Sequence, residues 1–394
     1  MSKSPVTDDR VAAETLALQL VEAAKRAGAA NADATVGMSA SLSASARDGA
    51  VEDLDRSQSR AAAIRVIVDG RVGFATSADA PNTPDELDEL ARTAVGLARL
   101  ASESPHNIIL DGAALTADEV RTAGDALQLW DDDTAELDPA WAGAQAMAME
   151  RIVRGHDGVV GVRDVSAGLR RGTFALATST GFVGSSRGTT ASLSCSAVVA
   201  DGGTGKLQID SWWAASRQLA TLPEPVVVAA EAARRALARR GARSMPSATM
   251  PVIFDPTMAR GFFAGVLAAV GGDAIARRQS WLHDRLGEVV MPAGTVFVDD
   301  PLIVGGFASR VFDGEGQASM KRVLIDDSGR LLALLLDGRS AARLGRASTG
   351  HASRGATSLP HPAATNVTLS GGSGDLASII AETKRGFLVT KVLG

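Results

Sequence analysis

Apolar residues recur at helical spacing between Asp8 and Ala27, at Val11, Leu16, Leu20 and Ala24. Gly28 follows as a C′ residue, so the chain opens with a helix. Ala34 to Ala46 and Ser59 to Ala75 alternate instead in the manner of strands. Within Arg65-Val-Ile-Val-Asp-Gly-Arg-Val-Gly-Phe74, the pair Asp69-Gly70 separates two apolar runs. Both central residues of a type I′ turn need positive φ, which this pair tolerates, so a tight hairpin is predicted. Thr83-Pro-Asp-Glu86 then spells a capping box with Pro at the first helical position. Leu87, Leu90, Ala91, Ala94, Leu97 and Ala98 form the buried stripe of a second long helix.

His106 to Asp133 is acidic and aperiodic and reads as a solvated connection. Asp138-Pro-Ala-Trp141 starts another capped helix that ends at Gly155, and from Val159 to Ala215 short alternating runs broken by glycines predict an antiparallel sheet. Pro225 to Arg240 returns to helix. Its clustered Arg234, Arg235, Arg239 and Arg240 suit the negative end of the helix dipole. A Ser/Pro/Met-rich stretch at 242–250 marks a boundary. Beyond it follow a strand (Val252 to Phe254), an apolar helix (Met258 to Val270), strands near Val296 to Val298 and Val323 to Leu336, and a last helix (Asp375 to Lys384). The fold class is α+β, with helices and antiparallel sheets in blocks: an N-terminal α/β unit in residues 1–110, a central sheet and helix unit in 125–240, and a β-rich unit in 247–394.

Composition narrows the function classes. Lys and Arg number 40 against 45 Asp and Glu, so no global positive field favours nucleic acid as the main partner. The single cysteine, Cys195, cannot form an internal disulfide, which fits a reducing cytoplasm. Met1 to Arg10 lacks the apolar core of a signal peptide, and no apolar run approaches the roughly 20 residues of a membrane helix.

The motifs that match catalytic patterns fail on context. Gly184-Ser-Ser-Arg-Gly188 has the letters of a nucleophile elbow, which requires a helix after the serine; a strand pattern follows instead. Gly202-Gly-Thr-Gly-Lys206 lacks the first glycine, the hydroxyl residue and the helix of a phosphate-binding loop, and reads as a hairpin turn. None of the five histidines has a second histidine three to five residues away, so the paired ligands of a helical zinc site are missing. The remaining cluster is acidic: Asp299-Asp300-Pro301, Phe312-Asp-Gly-Glu-Gly316 and Asp326-Asp327. The glycines flanking Glu315 let the chain turn tightly and bring carboxylates together to hold a cation or an amine.

Several blocks in order carry a family resemblance: Val296-Phe-Val-Asp-Asp-Pro301, Phe312-Asp-Gly-Glu-Gly316, Leu335 to Gly345, Ser348-Thr-Gly350 and Ala364-Thr-Asn-Val367, with Ile64 to Ser77 as an N-terminal block. Together they resemble the TldD/PmbA family, once called modulators of DNA gyrase. In that family TldD-type chains bear a zinc helix H-E-x-x-x-H, and PmbA (TldE) chains lack it; the two pair as a cytoplasmic metallopeptidase acting on unfolded peptides. The corresponding segment here, Gly261 to Gly272, holds neither His nor Glu, so the chain resembles the PmbA branch. The resemblance implies a non-catalytic subunit with no zinc in this chain, zinc in a TldD-type partner, and an unfolded peptide as substrate. It makes Asp299, Asp300, Asp313, Glu315 and Asn366 the candidate residues of the cleft or subunit contact. Without the partner a homo-oligomer is the expected assembly. Family chains usually continue past Gly386 to Gly394 into further glycine-rich strands, so the expectation here is either an exposed sheet edge or a smaller core, and with it a less secure dimer. Two other classes stand beside this one: a stand-alone peptide-binding or regulatory module using an open sheet edge, and a hydrolase with a metal among the Asp299, Asp300, Asp313 and Glu315 carboxylates.

Overall fold

Helix α1 (Arg10–Arg26) buries Ala13, Leu16, Ala17, Leu20 and Ala24, one stripe at helical spacing, against a sheet that begins with β1 (Asn31–Arg47), β2 (Ala50–Val68) and β3 (Arg71–Ser77). The β2–β3 turn is the one predicted: Asp69 and Gly70 both take positive φ, 49° and 70°. Helix α2 (Pro84–Leu100) carries the full Thr83–Glu86 capping box. The computed structural model describes residues 8–201, 203 and 205–392. Residues 1–7 of the leader reading, Gly202 and Thr204 of the glycine-rich turn, and Leu393 and Gly394 of the last block lie outside the described residues.

The connection from His106 to Asp133 is not wholly irregular. It contains α3 (Ala117–Ala126), capped by Thr116 and Glu119, and the single turn α4 (Asp132–Ala135). Then come α5 (Pro139–Arg154), β4 (Val159–Thr178), β5 (Val183–Ala200), β6 (Leu207–Ser216) and α6 (Pro225–Leu237). The short runs expected after Val159 are two strands of 20 and 18 residues and one of 10. Gly168, Gly172 and Gly188 lie inside ladders rather than ending them.

All six strands join one antiparallel sheet in the order β3-β2-β1-β4-β5-β6, which curls into a half barrel. Strands from the first and second segments are therefore hydrogen-bonded neighbours through β1 and β4. Period-2 alternation divides the two faces. Ala34, Val36, Ile64 and Val66 point into the core under α1 and α2, and further along β1 Leu42 and Ala44 point under α5 and α6. The alternate residues Asp33, Thr35 and Gly37 point the other way, toward the C-terminal segment: the Thr35 hydroxyl donates to the Ala356 carbonyl at 2.8 Å.

That segment contains β7 (Val252–Phe254), α7 (Pro256–Ala269), α8 (Gly272–Ala276), β8 (Val296–Asp299), β9 (Arg322–Ile325), α9 (Gly338–Arg343), β10 (Ala352–Ser353), β11 (His361–Pro362), β12 (Val367–Ser370), α10 (Leu376–Thr383) and β13 (Phe387–Val389). Its core centres on Phe297, Leu324, Leu331 and Leu335, with Val266 and Val270 from the α7 end. The strand expected over Val323 to Leu336 stops at Ile325. The chain reverses at Asp326–Gly329, and Leu331 to Leu336 is a buried apolar run outside any strand. No helix among the described residues is long and apolar enough to cross a membrane.

Candidate functional site

The acidic turn is buried rather than solvated. Asp313 Oδ1 accepts the backbone N–H groups of Glu315 and Gln317 at 2.8 and 2.9 Å, and Oδ2 accepts that of Ala352 at 3.0 Å. Gly316 closes the turn at φ 80°, a conformation that side-chain-bearing residues rarely adopt. This local geometry throws Glu315 inward. Its Oε2 accepts Gly338 N at 2.6 Å, at the start of α9, and its Oε1 accepts both terminal nitrogens of Arg65 at 3.3 Å. Arg65 stands opposite Asp33 in the β1–β2 register and donates to Asp33 Oδ2 through Nε at 2.8 Å and through Nη2. Asp33 Oδ1 accepts from Arg354 at 2.8 Å. Two carboxylates and two guanidiniums thus meet in a dry contact between the sheet and the C-terminal segment, all four side chains at most 7% exposed.

The charges respond as their surroundings require. Burial opposes ionisation of Asp33, but Arg354 and Arg65 outweigh it and hold the carboxyl below its ordinary value. Glu315 has one shared guanidinium and one N–H, so burial prevails and pushes it up to about 7. Burial likewise raises Asp313 above its ordinary value against its backbone donors.

The other predicted carboxylates separate. Asp299 is fully buried and accepts from Thr365 N and Oγ1 at 2.6 and 2.7 Å, and it is paired with His351 Nε2 at 3.1 Å. Burial works against its charge, and the bonds from His351 and Thr365 more than offset it, so the carboxyl is lowered. Thr349 Oγ1 holds the other ring nitrogen of His351 at 2.8 Å. Asp300 faces Lys321 at 3.2 Å, while Asn366 staples the strand end by donating to the Asp300 carbonyl at 2.9 Å and to Ser309 Oγ at 2.8 Å. Asp313 and Glu315 share one turn, Asp299 reaches it only through the His351–Ala352 backbone, and Asp300 and Asn366 brace a separate loop. The arginines ending α6 are structural as read: Arg234 pairs with Glu231 at 2.7 Å, and Arg239 with Asp210 at 3.4 Å.

Sequence reasoning missed Asp33, Arg65, His351 and Arg354. Arg65 had a signal, a lone charge inside Ala61-Ala-Ala-Ile-Arg-Val-Ile-Val68.

Beside this network the polar face of the sheet and the C-terminal segment enclose a cleft of about 630 Å³, lined by small groups such as Gly37, Ser39, Ser59, Gly172 and Gly188. Two ties span it. Arg354 anchors one wall to Asp33, and Arg217 donates to the Phe307 carbonyl at 2.5 Å while its guanidinium lies 5.3 Å from the Phe307 ring centre. The cleft offers backbone, hydroxyl and guanidinium groups. Cys195 supplies no nucleophile: it is buried in the sheet core, and burial pushes its thiol up to about 12.

The curled six-stranded sheet and the α+β arrangement of the chain fit the three-domain architecture of the PmbA/TldD metallopeptidase-like proteins. The chain belongs to the PmbA/TldD family: the PmbA/TldA metallopeptidase domain 1 matches residues 32–98, the central domain 132–240 and the C-terminal domain 247–394. It is 29% identical over 364 residues to Metalloprotease PmbA of Escherichia coli O157:H7, covering 92% of this chain and 76% of that one. Over a shorter stretch of 168 residues, 41% of this chain and 34% of the other, it is 33% identical to a Metalloprotease TldD homolog of Haemophilus influenzae. Among solved structures, a modulator-of-DNA-gyrase protein of Bacteroides thetaiotaomicron superposes with TM-score 0.84 at 21% identity, covering 97% of this chain and 82% of the other. TldE of Thermococcus kodakarensis superposes with TM-score 0.81 at 21% identity, over 96% and 83%.

A metallopeptidase family implies a metal, and the residues present do not fit one. Helix α7 reads Pro-Thr-Met-Ala-Arg-Gly-Phe-Phe-Ala-Gly-Val-Leu-Ala-Ala, without a His, Cys, Asp or Glu. Among the described residues no group of three or more such side chains is arranged to hold a metal ion. The buried acids are committed to arginines and backbone donors, and His351 is fixed between Thr349 and Asp299.

Proposed function

We propose that this chain is the TldE-type, non-catalytic subunit of a TldD-type zinc metallopeptidase of the cytoplasm, and that its cleft positions unfolded peptides for proteolysis or peptide maturation. The observation that carries this reading is α7, which offers only apolar residues, glycine, Thr257 and Arg260 where the resemblance puts the zinc helix of TldD-type chains. The cleft agrees with it. Gly172 puts no side chain into the cleft, and Ser39 and Ser59 present hydroxyls, groups that satisfy any extended backbone without selecting its sequence. The arginine ties at Asp33 and Phe307 keep the two walls at a fixed spacing, and preorganised walls lower the entropic cost of binding a flexible chain. The acidic turn serves this role by position: Glu315 seats the C-terminal unit on the sheet and chelates nothing.

The test is co-purification from the native host. A chain bearing H-E-x-x-x-H is expected to come down with this one in a stable heterodimer. A solely monomeric or homo-oligomeric species, in cells that make such a chain, contradicts the reading and favours a stand-alone peptide-binding module.

A further inference from the structure

The sheet has a second feature suited to an extended chain, on its outer edge and apart from the cleft. Strand β3 ends the strand order, so one side of it has no neighbour. Because Asp69–Gly70 is a two-residue turn, Val68 and Arg71 form the hydrogen-bonded closing pair. The backbone groups of Gly73, Ala75 and Ser77 therefore turn toward β2, and those of Phe74 and Thr76 turn outward. The start of this edge is closed by a bridge between Arg71 and Glu103 and by the bond from Ser104 N to the Gly70 carbonyl. From Phe74 onward no backbone group outside the sheet bonds to it among the described residues.

Edge strands are commonly blunted by charge or proline. The outer part of β2, Ala50–Ser59, pairs with β1 but has no strand on its other side; it is exposed throughout and carries Glu52, Asp53, Asp55 and Arg56. Between Val72 and Ser77, β3 carries neither charge nor proline.

Helix α2 supplies a wall beside this edge. It lies close over β3 because Gly73 has no side chain: a Cβ there would fall 1.9 Å from the Ala94 carbonyl oxygen. The flank of α2 that overhangs the edge presents Glu86, Glu89, Leu90, Thr93 and Leu97, spaced as one helical face, and the groove between helix and strand measures about 690 Å³. Its lining includes the acids Asp79, Glu86 and Glu89 and no Lys, Arg or His. Neither Asp79 nor Glu89 has an ion-pair partner among the described residues. Glu86 is kept ionised by the N–H groups of Asn82 and Thr83.

We propose that the groove between β3 and α2 binds an extended peptide segment bearing a lysine or arginine. The segment adds as a further strand to the Phe74–Thr76 edge and sets its cation against Asp79, Glu86 and Glu89. Main-chain bonds supply sequence-tolerant affinity, and every second side chain faces α2, where Leu90 and Leu97 take apolar groups and the acids take the cation. This site is independent of the cleft reading above.

The probe is a fluorescent peptide of roughly nine residues, alternating Val and Thr around one central Lys, with two companions: the same peptide with Glu for Lys, and one N-methylated at alternate amides. Saturable binding of the lysine peptide is expected, together with slowed hydrogen exchange at the amides of Phe74 and Thr76. Binding is expected to weaken about tenfold or more for the glutamate peptide, for the N-methylated peptide, and for the exposed-site variant Glu89→Lys. Equal binding of all three peptides, unchanged exchange at Phe74 and Thr76, or no saturable binding of the lysine peptide overturns the proposal. The exchange measurement uses the unaltered protein, so it holds whatever the variant does to folding.

Discussion

Arg65 and Glu315 are 250 positions apart in the chain and 3.3 Å apart in the fold. Arg65 belongs to the sheet and Glu315 to a turn of the C-terminal segment, and the guanidinium divides itself between that carboxylate and Asp33. Glu315 spends its second oxygen on the first N–H of α9. The contact therefore sets sheet, turn and helix in one arrangement, and the cleft wall at Ala356 follows two residues after Arg354, the fourth member of the network.

Removing the shared cation leaves buried Glu315 without a guanidinium and Asp33 with Arg354 alone. Arg65→Met is expected to destabilise the protein by about 3–5 kcal/mol, because the desolvation cost of the acids remains without its compensation. Urea unfolding measures this. A loss under about 1 kcal/mol would mean that the pairing is solvent-screened in solution.

Stability should also depend on pH through Glu315. Its folded value of about 7 lies above the ordinary 4.5, so the native state binds this proton more tightly than the unfolded chain does. The contribution is most favourable below the unfolded value and declines as pH rises through the folded one, by about 3 kcal/mol in all. Urea midpoints between pH 5 and 8 should fall in the unaltered protein and lose that slope in Glu315→Gln. The variant chain is expected to stay folded, while its assembly with a TldD-type subunit, or the turnover of the complex, is expected to weaken at least about tenfold. An identical slope in both proteins would assign the titration to another group.

Two glycines give opposite signs. Gly73→Ala drives a methyl into the backbone of α2 and should cost about 1–3 kcal/mol. Gly96→Ala, on the exposed face of α2 with nothing within 4 Å of the new carbon, should stabilise by up to about 1 kcal/mol. Thermal unfolding of the two variants, compared with the unaltered chain, reads both.

What could be read from the chain was local. The Asp69-Gly70 hairpin, the Thr83 capping box and the Asp138-Pro139 helix start are all present where short-range chemistry indicates them. Helix α3 has the same kind of cap, Thr116 with Glu119, and was passed over because only Val120 is buried and no apolar stripe accompanies it. The outer half of β2 was invisible for a related reason: with every residue from Ala50 to Arg60 exposed, it has no alternation to detect. Long strands were read as short because glycines usually interrupt ladders, whereas Gly37 sits where Ala356 packs and Gly168 and Gly172 lie against neighbouring strand backbone. The motif blocks pointed to Asp313 and Glu315, but not to Arg65, Arg354 or His351. Pairing across 250 or 52 positions leaves no periodic trace.

The central claim, a cleft-forming subunit whose zinc belongs to its partner, is tested most directly by cleavage of an unstructured peptide. The isolated chain, a TldD-type subunit and their mixture are assayed with and without a zinc chelator, alongside elemental analysis of each. The account predicts substoichiometric zinc and no cleavage for the isolated chain, and chelator-sensitive cleavage that appears or rises sharply on mixing. One tightly held zinc per isolated chain, or cleavage by that chain surviving the chelator, would contradict it.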